Sequence, residues 1–120
     1  QDTGRTAADY DRVVTGDLGR IGHDALLELM EKRGMPLDSD RYMDCGLQIY
    51  DANQDVHAGG SGCGCSACVL NTLLLNKLAS GEFKRILFMA TGALLSPTSN
   101  QQGESIPGVA HAVAIESAKA

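Results

Sequence analysis

The sequence predicts an α/β domain in which helices are layered on a mixed sheet. Three observations carry that prediction. Segments with helical spacing alternate with short β-branched or apolar segments, the order expected of a layered α/β domain. The run Ile86 to Ala90 is apolar without interruption, as in a strand covered on both faces. The segment "CSACVLNTLLLNKLASG", from Cys65, is apolar over so broad a face that the helix it predicts should be largely buried.

Each element has its own justification. Residues 1–8 are polar and read as a loop. "RVVTG", from Arg12, is a short β-branched strand closed by a glycine turn, and "DLGRIG" is a glycine-punctuated loop. "HDALLELMEKRG" places Ala25, Leu26, Leu29 and Met30 at helical spacing. Gly34 is its C-terminal cap and Pro36 blocks continuation. Leu37 to Tyr42 is a polar connection, "DCGLQIYD" a short strand, and "ANQDVHAGGSGCG" a loop before the second helix, which Gly81 ends. "FKRILFMATG" is the clearest strand. "ALLSPTSNQQGESIPG" is a long polar excursion, and "VAHAVAIES" a final strand. With no helix between them, the last two strands form an antiparallel pair.

Composition narrows the function. The 120 residues fit one domain able to bury a moderate core. A net charge of −5 and the absence of Trp argue against a nucleic-acid partner, which needs a basic surface and stacking side chains. The same charge argues against a polybasic membrane patch. The apolar runs are too short to span a bilayer. The chain opens on Gln1 with no initiator Met, which suggests a piece of a longer protein.

The stretch "GGSGCGCSAC" gathers the residues with most chemical potential. Cys63, Cys65 and Cys68 lie within six residues, with Cys45 upstream. Their C-x-C-x2-C spacing runs into a helix and lacks the paired knuckles of a zinc site, so no metal is expected. A cysteine at a helix N-terminus can be activated, but a nucleophile also needs a base. His57 is near only in sequence. Otherwise these cysteines are small apolar residues at a crowded helix start. Gly59, Gly60, Gly62 and Gly64 leave N–H groups that can hold an anion such as a carboxylate, or serve close backbone packing alone. There is no P-loop lysine, so a nucleotide phosphate is not favoured. Asp17, after a strand-ending glycine, stands where α/β proteins place functional groups, or it caps the next turn. His23 is expected exposed at a helix start, and His111 buried in the last strand.

Together, "DYDRVVTGDLGRIG", "DCGLQIYD", "HAGGSGCGCSA" and "ATGALLSPTSNQQGESIPGVAHAVAIE" resemble the stage V sporulation AD family of spore-forming bacteria across nearly the whole chain. The resemblance implies a thiolase-like fold of two similar halves with a pocket between them. The chain would be the C-terminal third of the family's length and most of its second half, as a single domain, 1–120. Thiolase-like enzymes carry their nucleophilic cysteine in the first half and take a His, and a His or Asn, from loops of the second. The matching loops here, "TGDLG" and "GGSGCGC", offer Asp17, and Ser61, Gly62 and Cys63, instead. The resemblance therefore implies a catalytically degenerate, non-enzymatic protein, the alternative being an acyltransferase of the condensing type. It further implies binding of dipicolinic acid, with or without calcium, and support of its uptake into the developing spore. That role would be peripheral to the inner membrane, beside other stage V sporulation A proteins and as a homodimer. The candidate ligand-binding residues are Asp17, His57, Ser61, Gly62 and Cys63, with no cofactor. An acidic Asp17 repels such a ligand unless it is protonated or bridged by a cation.

Overall fold

A computed structural model of the chain describes residues 3–93, 96–106 and 108–118. It is an α/β layer structure. In chain order come β1 (Arg12–Thr15), α1 (Gly19–Lys32), β2 (Tyr42–Asp44), α2 (Cys65–Val69), α3 (Leu75–Ser80), β3 (Arg85–Met89), α4 (Pro97–Gln101) and β4 (Ala112–Glu116). Short 3-10 turns occupy Ala7–Asp9 and Cys45–Leu47. The strands form one sheet in the order β2-β1-β3-β4. β1 runs parallel to both β2 and β3, and β4 runs antiparallel to β3, as expected of the last two strands.

The two sheet faces follow from the alternation of side chains along a strand. Val14 and Ile86 turn toward α2 and α3 and join Val69, Leu74, Leu78, Phe83, Cys45 and Cys65 in the buried core. Val13, Thr15, Leu87 and Met89 face the other way. With Leu26 and Met30 of α1, they line an apolar cavity of about 470 Å³. The expectation that the Ile86 to Ala90 run is covered on both faces is therefore half met. Ile86 is fully buried, Leu87, Phe88 and Met89 are half-buried, and Ala90 is exposed beyond the end of β3.

Several boundaries differ from the sequence reading. α1 begins at Gly19, inside the segment read as a loop, because its first N–H groups find distant partners. The Asp44 carboxylate accepts from Leu18 N and Gly19 N, and Ala58 O accepts from Arg20 N. No local side chain caps this end. The other end is as expected. Gly34, at φ +71°, donates to Glu31 O while Met35 N donates to Met30 O, a Schellman cap that a left-handed glycine permits. His23 consequently sits in the second turn, half-buried, with its ring stacked 4.5 Å from that of Tyr42.

The strand expected over Asp44 to Asp51 is instead Tyr42–Asp44. It stops because Asp44 folds its side chain onto Gly46 N at 3.1 Å and turns the chain. The helix from Cys65 to Ser80 is interrupted by a π-helical turn, Leu70–Leu74. Asn71, Thr72 and Asn76 bond back to carbonyls four residues earlier, which loosens the regular ladder. This helical stretch is buried on one face only. Cys65, Val69, Leu74 and Leu78 are buried, whereas Ala67, Cys68, Asn71, Thr72, Leu75 and Asn76 are exposed. Within the polar excursion, Ser96 and Pro97 start the short helix α4; Leu94, Leu95 and Pro107 lie outside the described residues. β4 begins at Ala112. As an edge strand with little cover on either face it leaves His111 exposed, where a buried ring was expected.

Candidate functional site

Parallel strands leave their C-terminal ends, and the loops that follow, on one side of a sheet, where α/β proteins build sites. Here the loop after β1 (16–18), the turn after β2 (45–47) and the glycine–cysteine loop (58–64) meet at that end. Gly46 O accepts from Gly60 N at 2.8 Å, and Ala58 O accepts from Arg20 N at 2.8 Å. A Cβ on Gly46 would lie 2.4 Å from Gly60 O, so only glycine permits this approach.

Asp17 is the reaching side chain. Its Oδ2 accepts from Gly62 N at 3.0 Å, and its own N–H donates to Thr91 Oγ1 at 2.9 Å. The structure thus joins two of the sequence-predicted site residues, Asp17 and Gly62, with Ser61 and Cys63 flanking Gly62 and exposed. It does not join His57 to them. That residue has φ 51° and a side chain 91% exposed, and its nearest ionic partner is Asp55 at 3.8 Å. His57 lies on the rim of a separate cavity of about 250 Å³, with Arg20, Tyr50 and Gln54. Among the described residues, no hydrogen bond or ion pair links an imidazole to Asp17, Gly62 or a cysteine.

The loop N–H groups are largely committed within the chain. Gly59 N donates to Val56 O, Gly60 N to Gly46 O, and Cys65 N to Gly62 O, while Gly62 N is taken by Asp17. An incoming carboxylate would therefore meet a loop whose central N–H already serves a resident carboxylate.

The cysteines separate into two kinds. Cys45 and Cys65 are buried, Cys63 and Cys68 exposed, and all four are free thiols. Burial pushes the Cys45 thiol up to about 12, helped by the negative charges of Asp44 and Asp17. Burial and Asp17 raise Cys65 as well. Both buried thiols are thus held in the protonated, poorly nucleophilic form. Among the described residues, no three His, Cys, Asp or Glu side chains gather as a metal site.

Sequence reasoning missed Asp44, Thr15 and Thr91. Asp44 is 1% exposed and accepts four hydrogen bonds, from Thr15 Oγ1, Leu18 N, Gly19 N and Gly46 N. Thr15 gives its only proton to Asp44 at 2.6 Å, so the Tyr42 hydroxyl, 2.9 Å away, donates to Thr15. Burial raises the Tyr42 phenol and keeps that donor protonated. The one local signal was an Asp two residues before a Gly, an Asx-turn pattern that also fits any surface loop.

Comparison with known proteins identifies the relatives. The family model described as stage V sporulation protein AD matches residues 1–116. The stage V sporulation protein AD of Bacillus subtilis (strain 168) is 46% identical over 118 residues, which is 98% of this chain and 35% of that protein. The chain thus spans about a third of the length of that curated relative.

Proposed function

Because the chain belongs to the stage V sporulation protein AD family, we propose that it forms part of a non-enzymatic, thiolase-like protein that binds dipicolinic acid and supports its uptake into the developing spore. The observation that carries this reading is the Asp17–Gly62 contact. The strand-end loops present a carboxylate and small residues where a condensing enzyme needs an imidazole or amide. Such a rim can hold a small dicarboxylate through a cation on Asp17, and it lacks the imidazole or amide of an acyl-transfer site.

Asp17 sets a condition on the ligand. Two carboxylates repel at close range, so dipicolinate beside Asp17 would need that residue protonated or a cation such as calcium bridging the two acids. No helix among the described residues is long and apolar enough to cross a membrane. On the family resemblance, the proposed role is peripheral to the forespore inner membrane, beside membrane-embedded stage V sporulation A proteins and as a homodimer.

The test is calorimetric titration of the full-length protein with dipicolinate, with and without calcium, and with acetyl-CoA alongside. Saturable dipicolinate binding strengthened by calcium, weakened about tenfold or more by Asp17→Ala and less by Cys63→Ala, is the expected result. Turnover of acetyl-CoA with no dipicolinate heat would replace this reading with acyl transfer.

A further inference from the structure

We propose that Asp44, which touches no ligand in the reading above, is the positioning residue of the Asp17–Gly62 site and fixes both partners of that contact from one buried carboxylate. Each of its oxygens takes two donors. Oδ1 accepts from Thr15 Oγ1 at 2.6 Å and from Leu18 N at 2.9 Å. Oδ2 accepts from Gly19 N at 3.0 Å and from Gly46 N at 3.1 Å. Leu18 directly follows Asp17, so the Asp17 backbone is held on one side by Asp44 and on the other by its own bond to Thr91 Oγ1. On the far side of the carboxylate, Gly46 passes the constraint on. Its N–H is bonded to Asp44 and its carbonyl to Gly60 N, two residues before Gly62. One side chain therefore sets the spacing between the loop that carries Asp17 and the loop that carries Gly62.

The chemistry of the position is specific to a carboxylate. Four donors converge on it, and a carboxylate carries acceptors alone. Asparagine has the same shape but turns an NH2 group toward two of those donors, leaving buried N–H groups unpaired. Glutamate adds a methylene to a site with 1% exposure. The Asn variant thus separates acceptor number from side-chain volume.

The ligand half of this inference rests on the proposed function, but the positional half does not, and the experiment reads them apart. Hydrogen exchange followed by mass spectrometry is run on the full-length protein as wild type, Asp44→Asn and Thr15→Val, with dipicolinate titration, with and without calcium, of each. In Asp44→Asn, amides of 16–19 and 58–64 should exchange about tenfold faster or more, while those of β3 keep their wild-type rates. Dipicolinate binding should weaken at least tenfold. Thr15→Val, which removes one donor and leaves the three amide bonds, should fall between the two proteins in both readouts. Unchanged exchange at 58–64 in Asp44→Asn, or loop and β3 rates rising together, would overturn the positioning role. If Asp44→Asn does not fold, Thr15→Val decides by the same loop-to-β3 ratio. If the wild type binds no dipicolinate, the proposed function fails while the exchange rates still judge Asp44.

Discussion

The two faces of the sheet are built from one alternating pattern yet end in different states. On the α2–α3 face, Val14 and Ile86 meet Leu74 and Leu78 and are sealed from water. On the α1 face, Val13, Thr15, Leu87 and Met89 border an open apolar cavity of about 470 Å³, and Gly19 is the one residue of α1 that is buried. The first face is held by packing. On the second, α1 is held at its N-terminus by polar bonds to Asp44 and Ala58, and its apolar side chains are half-buried, as Leu26, Leu27 and Met30, or exposed, as Ile21 and Leu29. An apolar stripe determines which side of a helix seeks cover; the fit of opposing side chains decides whether the seal closes.

That contrast can be broken most sharply by truncation. Leu74→Ala, at a fully buried position, should cost about 2–5 kcal/mol in chemical denaturation, whereas Met30→Ala, beside the cavity, should cost under about 1 kcal/mol. Equal losses would mean that both faces carry the same load.

Thiol chemistry sharpens the comparison between core and rim. Native-state alkylation near pH 8 should modify Cys63 and Cys68 readily and Cys45 about a hundredfold more slowly, as read by peptide mass spectrometry. Cys45 also sets a sign for alkaline stability. Its thiol is raised to about 12 in the folded chain, against about 8.5 in an unfolded one. The folded state therefore binds the extra proton, and stability drains as pH climbs from the unfolded value toward the folded one. Cys45→Ala should lower stability at neutral pH and flatten that alkaline slope.

The smallest effect belongs to the opposite end of the strands. Asp11 accepts from Lys84 N and Arg85 N at 2.7 and 2.9 Å, and these bonds hold its carboxyl below the usual range. Its contribution is complete above the unfolded carboxylate value, near 3.9, and is lost as pH falls through the lower folded value. Asp11→Asn should cost about 1 kcal/mol at pH 7 and shrink the acid-side loss, measured as Tm against pH. An unchanged acid limb would show that these bonds do not anchor β1 to β3.

Much of the candidate site was legible because its signals are local. Asp17 after a strand-ending glycine and the run of small residues before Cys65 both mark strand-end loops, and the structure bonds Asp17 to Gly62. His57 is not joined to them, because nearness in sequence says nothing about direction: the residue sits at φ 51° with its side chain in solvent. His111 was read as buried because an apolar strand looks the same in the middle of a sheet and at its edge.

By itself, then, the sequence determined the alternation of strands and helices, the antiparallel closing pair, the Gly34 and Gly81 helix ends and the family. These rest on periodicity, on left-handed glycines and on motif strings, all properties of neighbouring residues. Only the tertiary structure decided where α1 begins and what holds Asp17 to Gly62. Both depend on the Asp44 carboxylate, whose donors at Thr15, Leu18 and Gly19 lie 25 to 29 residues away along the chain. A buried acceptor must find donors wherever the fold brings them, and that choice is made in three dimensions.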